Sequence, residues 1–246
     1  MNEVEREEFY VGYLPTAPRR IGKLVRNLCL GLFAVVVAVA LLLVFGLHKL
    51  PLSVFEFGQY RAFAGIIQAK PYPTLLVREG NSLVQYLLVA EGKYGADVAS
   101  FDGKQVTLKG ARIYRDGLTM IEVVSGSVQA ANDAMAAKLP TDDLGTFTLV
   151  GEIVDSKCYL GVMNPGNTKP HRECAALCIS GGIPPLFIAR DAAGNNVALQ
   201  LVSSKGEPVN QDVLEMVAEP VEITGQVWRE GDQLLLKADP KTYQRK

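Results

Sequence analysis

The chain has 246 residues, of which 25 are basic and 26 acidic, giving a net charge of −1. That length allows one or two domains with appendages, and the balanced charge removes any electrostatic case for nucleic acid as a partner. Hydrophobic residues make up an ordinary 48 % of the chain, so what matters is that they are unevenly spread.

Residues 1–18 are polar, with Phe9, Tyr10 and Tyr13 embedded among them. Such a tail buries no core alone. It is expected either to be disordered or to dock on a neighbouring membrane subunit. From Leu28 to Leu47 there follow twenty residues without a charge, LCLGLFAVVVAVALLLVFGL. At about 1.5 Å per residue the run spans about 30 Å, the thickness of a bilayer core. A cleaved signal peptide is the alternative. Against it, the preceding stretch carries Glu3, Glu5, Glu7 and Glu8, and no small-x-small site follows, only His48-Lys49-Leu50-Pro51. The run also exceeds a usual signal core of about 7–15 residues. The expected arrangement is a cytoplasmic tail over 1–27 and a transmembrane helix over 28–47. Cys29, inside the helix, reads as a small apolar residue.

Arg19, Arg20, Lys23 and Arg26 precede the run, and only His48 and Lys49 follow it closely. The positive-inside rule then places the N-terminus in the cytoplasm and the C-terminal part across the cytoplasmic (inner) membrane, in the periplasm or outside. The bilayer and integral-membrane proteins are the expected partners. Arg19-Arg20 resembles a twin-arginine export pair. Ordinary flanking charge is the favoured reading, because Pro-Arg-Arg-Ile-Gly-Lys-Leu lacks the aromatic or leucine two places after the pair.

Beyond Pro51 the chain reads as strands broken by Gly, Asp and Pro turns. Val106–Tyr114 alternates, turns at Asp116-Gly117 and resumes as Leu118–Val124. Val221–Trp228 does the same, turning at Glu230-Gly231-Asp232 into Gln233–Lys237. Both are β-hairpins, and V-T-L-K-G-A-R-I-Y-R-D-G matches V-E-I-T-G-Q-V-W-R-E-G. An upstream pair matches as well: Gly65-Ile-Ile-Gln-Ala-Lys-Pro-Tyr72 and Gly151-Glu-Ile-Val-Asp-Ser-Lys-Cys-Tyr159. These matches imply an internal duplication of a small β unit. The expected fold is therefore mainly β: the N-terminal transmembrane helix, then two tandem OB-like small β-barrels. The first covers 51–126 and the second 146–246. A helical linker over 127–145 joins them, its alanine-rich part Ser127–Lys138 forming a short helix. Trp228 is expected on a barrel strand.

The second unit is the longer, and its excess matches a segment with most of the chain's thiol and imidazole chemistry, the loop 158–185. Cys158, His171, Cys174 and Cys178 lie within twenty-one residues, while the whole chain has 4 cysteines and 2 histidines. Thiolate and imidazole bind soft metals or do redox chemistry. Pro170 to Gly182 is expected to be a short helix, with proline in its first turn and glycines at its end. His171, Cys174 and Cys178 would share one face of it, and Cys158 would close over them. Three readings stand. One disulfide would pin the loop, as Cys158–Cys174 or Cys158–Cys178, worth about 3 kcal/mol. A tetrahedral zinc or a copper site is the second, with Met163 as a weaker soft ligand. A redox thiol is the third. One disulfide among three exported cysteines would leave a thiol over, and that odd count keeps metal binding open. Asp155 is expected to order the turn before Cys158, and His171 to be either a ligand or a surface residue.

The second unit, over about 147–240, resembles a family of small exported bacterial OB-like domains of unknown function. The shared pattern is Gly151-Glu-Ile-Val-Asp-Ser-Lys-Cys158, His171-Arg-Glu-Cys174, Cys178 and Gly181-Gly-Ile-Pro184. The resemblance implies fold and location and brings no activity. The chain has no G-x-S-x-G, P-loop or H-E-x-x-H motif, so no catalytic residue is assigned and enzymatic activity is not the leading expectation. That expectation is a non-catalytic accessory subunit of a membrane complex, such as a respiratory one. The alternatives are a copper- or zinc-binding protein for metal delivery or electron transfer, and a thiol–disulfide oxidoreductase.

Overall fold

The computed structural model describes residues 18–47, 53–80, 82–131 and 139–246; the readings for the extreme N-terminal tail lie outside them. Two units are distinguished, one up to Pro51 and one from Leu52 to Lys246.

In the first, helix α1 (Arg19–Leu47) begins earlier than the expected span and carries Arg19, Arg20, Lys23 and Arg26 on its first turns. It is long and apolar enough to cross a membrane. Its apolar side chains are open on all sides, with Leu32, Phe33, Leu42 and Phe45 all 67–74 % exposed. A helix apolar all round has no polar face to give to water.

The second unit consists of two closed five-stranded barrels. A short strand β1 (Ser53–Phe55) precedes β2 (Arg61–Gln68), β3 (Thr74–Glu79), β4 (Ser82–Ala90), β5 (Gln105–Arg115) and β6 (Leu118–Val123). The order is β5-β2-β3-β4-β6, with β5 also pairing β6 to close the barrel and β4 parallel to β6. After β7 (Gln129–Ala130), the second barrel is built from β8 (Thr141–Asp155), β9 (Pro185–Arg190), β10 (Asn196–Val202), β11 (Pro220–Glu230) and β12 (Gln233–Lys237). Its order is β11-β8-β9-β10-β12, closed by β11–β12, with β10 parallel to β12. The two barrels thus share one topology, that of the OB-fold, a five-stranded Greek-key barrel.

The repeat holds in register too. Gly65 lies opposite Val106, four residues before Gly110 on β5; Gly151 lies opposite Val221, four residues before Gly225 on β11. Each first-strand glycine lets the second strand approach. A Cβ on Gly65 would meet the Leu76 carbonyl oxygen at 2.3 Å, and one on Gly151 would meet that of Ile188 at 2.3 Å and Phe187 Cζ at 2.8 Å. Since a backbone carbonyl in a ladder cannot yield, Gly151→Ala is expected to cost about 1–3 kcal/mol, read as a lowered thermal unfolding midpoint.

The hairpins form as expected. The β5–β6 turn has positive φ at both Asp116 (50°) and Gly117 (82°), as a two-residue hairpin of this twist demands. Trp228 sits on β11 with Lys237 Nζ 4.3 Å from its ring centre. The expected helix from Ser127 is corrected at its start. Gln129–Ala130 form β7, paired with Val106 and Thr107, where β5 has not yet met β6. An open ladder position outweighs alanine's helical preference there. Residues 132–138 lie outside the described residues.

The barrels dock face to face, and each offers the other its connection between first and second strands. In the first barrel this is the short 69–73 loop, whose Tyr72 is buried in the second barrel. Its hydroxyl donates to Leu201 O at 2.8 Å and accepts from Val209 N–H at 3.1 Å. In the second barrel it is the long 156–184 connection. Its Lys157 Nζ donates to Ala90 O at 2.9 Å and Gly92 O at 2.7 Å, and pairs with Glu122. The apolar seam between the barrels mixes Leu87, Val89, Ile113 and Met120 with Cys158, Tyr159, Leu160 and Cys178. Most of the second barrel's extra length is therefore this inserted connection, whose Lys157, Cys158, Tyr159, Leu160 and Cys178 are buried at the seam between the barrels.

Candidate metal centre

The centre begins where β8 ends. Asp155 is wholly buried. Its Oδ1 accepts the Cys158 backbone N–H at 2.8 Å, the turn-ordering role expected of it. Its Oδ2 accepts the His171 Nε2–H at 3.0 Å. One carboxylate therefore fixes both the cysteine's backbone and the imidazole's orientation. The chain after Cys158 winds through a single wide turn (Cys158–Val162) and loops back. It returns tightly enough that a Cβ on Gly166 would meet the Cys158 carbonyl oxygen at 2.5 Å, and Gly166 itself has φ +66°.

A 3₁₀ turn (Lys169–His171) then leads into α2 (Arg172–Ser180). His171 is the residue before the helix, so the α-helix starts two residues later than its proline indicated, after a 3₁₀ turn. Gly181 and Gly182 end it, their N–H groups donating to Leu177 O and Ile179 O. His171 is buried, at 6 % exposure, which excludes the surface reading.

All three cysteines of the loop are free, so the expected disulfide is not formed by Cys158 with either Cys174 or Cys178. The side chains converge instead. The ligand atoms of Cys158, His171 and Cys174 lie within 4.8 Å of one another, and so do those of Asp155, Cys158 and Cys178. Cys158 belongs to both sets. The neighbouring Cys178 thiol, together with burial, pushes the Cys158 thiol well above its ordinary pKa, and Cys158 in turn draws Cys178 below its own. Cys174 is half-buried and faces the rim, whereas Cys158 and Cys178 are buried. Met163 is 46 % exposed in the intervening loop, unlike the buried residues of the centre. Cys29 lies far along the chain in α1.

One participant had no sequence signal. Lys93, on the β4–β5 connection of the first barrel, donates from Nζ to Cys174 Sγ at 2.9 Å and reaches Cys178 Sγ at 3.9 Å. The bond to Cys174 holds its own pKa above the usual lysine value. Its loop abuts the end of α2, with Gly95 N–H donating to Gly181 O at 3.0 Å. The centre is thus assembled by both barrels, although all of its sulfur and imidazole donors come from one.

Three thiols and an imidazole with one face toward the rim are a soft donor set, suited to zinc or copper. Comparison with protein-family models and with characterised proteins finds no match to this chain.

Proposed function

We propose that this chain is a membrane-anchored metal-binding protein. Its barrels stand on the periplasmic side and hold a copper or zinc ion, for delivery or electron transfer, at Cys158, His171 and Cys174, with Cys178 adjoining. The observation that carries this reading is the convergence of free thiols on an imidazole whose Nε2 is tied to a buried carboxylate. Metal-binding histidines are held in that way, which fixes the tautomer and leaves the other nitrogen, here Nδ1, for the ion. The anchor and its orientation rest on the apolar length of α1 and the basic residues at its start.

The test is elemental analysis with thiol counting on the purified chain. One ion per chain with all loop cysteines reduced supports the reading. Two oxidised cysteines and no bound ion overturn it in favour of a disulfide or a redox thiol. Asp155→Ala is expected to weaken ion binding about 10–100-fold, as loss of an outer-shell carboxylate does, measured by competition with a chromophoric chelator.

A second reading, a non-catalytic subunit of a membrane complex, is favoured by a separate feature and is compatible with the first. The first part of β8 pairs only with β11 among the described residues, because β9 joins from Gly151 onward. Leu144, Phe147 and Val150 are open along it. An unpaired edge with apolar side chains is a template for another chain. Co-purification from gentle detergent tests this, and a lone monomer counts against it.

A further inference from the structure

Lys93 is oddly placed for a lysine in a turn. Such side chains ordinarily extend into water, and tethering one costs rotamer entropy. Here no carboxylate pairs with it among the described residues, and its Nζ is spent on Cys174 and Cys178. The surrounding contacts hold it there. Lys157 grips the carbonyls of Ala90 and Gly92, and Ala90 N–H donates to Tyr94 O at 2.9 Å. Gly181 admits the loop from the other side, since a Cβ on it would lie 2.0 Å from Lys93 O.

Charge gives that placement a purpose. The Cys158 and Cys174 thiolates and the buried Asp155 carboxylate tied to the neutral His171 imidazole carry three negative charges. A divalent ion leaves one over, and a monovalent ion leaves two. Excess charge in a half-buried, low-dielectric site is costly, and a lysine ammonium supplies one compensating charge. Hydrogen bonds to a metal-bound sulfur also set the electronic character of metal–thiolate centres.

We propose that Lys93 is a positioning residue of the metal centre, reaching across the barrel seam to orient Cys174 Sγ toward the ion and to offset the excess negative charge that the thiolates and the buried Asp155 carboxylate bring to the centre. This rests on the metal-binding reading above. It adds that the second barrel's donors are incomplete without the first barrel, so that ion binding and barrel docking share one contact.

The test uses the full-length chain in detergent as wild type, Lys93→Met and Lys93→Arg. Cobalt(II) serves as a spectroscopic probe, and zinc affinity is read by chelator competition. In the wild type, cobalt is expected to give a sulfur-to-metal charge-transfer band. In Lys93→Met the band moves to lower energy, because the sulfur loses its donor, and zinc affinity falls about tenfold or more. Lys93→Arg restores both toward wild type. An unchanged band and affinity in Lys93→Met overturn the proposal even if the unfolding midpoint drops, since that pattern means a docking role alone. If the wild type takes up neither cobalt nor zinc, the metal-binding reading itself falls, and this one with it.

Discussion

Replacing Lys157 with methionine is expected to destabilise the paired barrels by about 3–5 kcal/mol, the usual cost of breaking a buried ion pair from one side. Lys157 is 3 % exposed, and its partner Glu122 is buried on the opposite barrel. The substitution strands that carboxylate and also removes the donor to Ala90 O and Gly92 O. For a unit of this size the loss corresponds to a midpoint lower by about 10 °C. Adding Glu122→Gln to the same chain is expected to recover part of it, because the uncompensated charge is gone. A single variant that unfolds at the wild-type temperature would show that the seam does not depend on this pair.

Cys158→Ser is expected to have the largest effect on the centre itself. Cys158 is the member common to both sets of converging ligand atoms, so its loss leaves neither set complete. Outer-shell changes cost about 10–100-fold in metal affinity, and loss of a shared ligand should cost at least the upper end of that range. Because Cys158 also packs in the apolar seam, a hydroxyl there is expected to cost about 1–3 kcal/mol with no ion present. The two contributions separate experimentally. The ion-free midpoint reports packing, and the rise in midpoint on adding zinc reports binding. In the wild type that rise is expected to be clear, and in Cys158→Ser it is expected to vanish. Equal rises in both would remove Cys158 from the ligand set.

The strands were legible because alternation and turn chemistry are local. Val106–Val124 and Val221–Lys237 each carry their own hairpin, and their likeness reveals the repeat that the matched registers of Gly65 and Gly151 display. The loop chemistry was legible as a list, since Cys158, His171, Cys174 and Cys178 lie close in sequence. Their state was not. Cysteines outside the membrane, as the sequence implies these to be, ordinarily pair, and only the fold shows them free, with Cys158 and Cys174 drawn to a buried imidazole and Cys178 close to Cys158. Asp155 orders its turn, as its place before Cys158 implies, but its bond to His171 spans sixteen positions and has no sequence signature. Lys93 lies still further off, in Glu91-Gly-Lys-Tyr-Gly95, a turn like any solvated one. Its role exists because the inserted connection folds against the neighbouring barrel, and such contacts leave no periodic trace. At Gln129–Ala130, local preference pointed to helix and an unfilled position beside β5 took the segment as strand.

X-ray absorption at the edge of the bound ion tests the central claim most directly, because it reads which atoms surround the metal. For the zinc-loaded chain the account predicts a first shell of sulfur at about 2.3 Å with imidazole nitrogen at about 2.0–2.1 Å, and loss of sulfur from that shell in Cys174→Ser. A shell of oxygen and nitrogen alone would contradict it, placing the ion away from Cys158, His171 and Cys174.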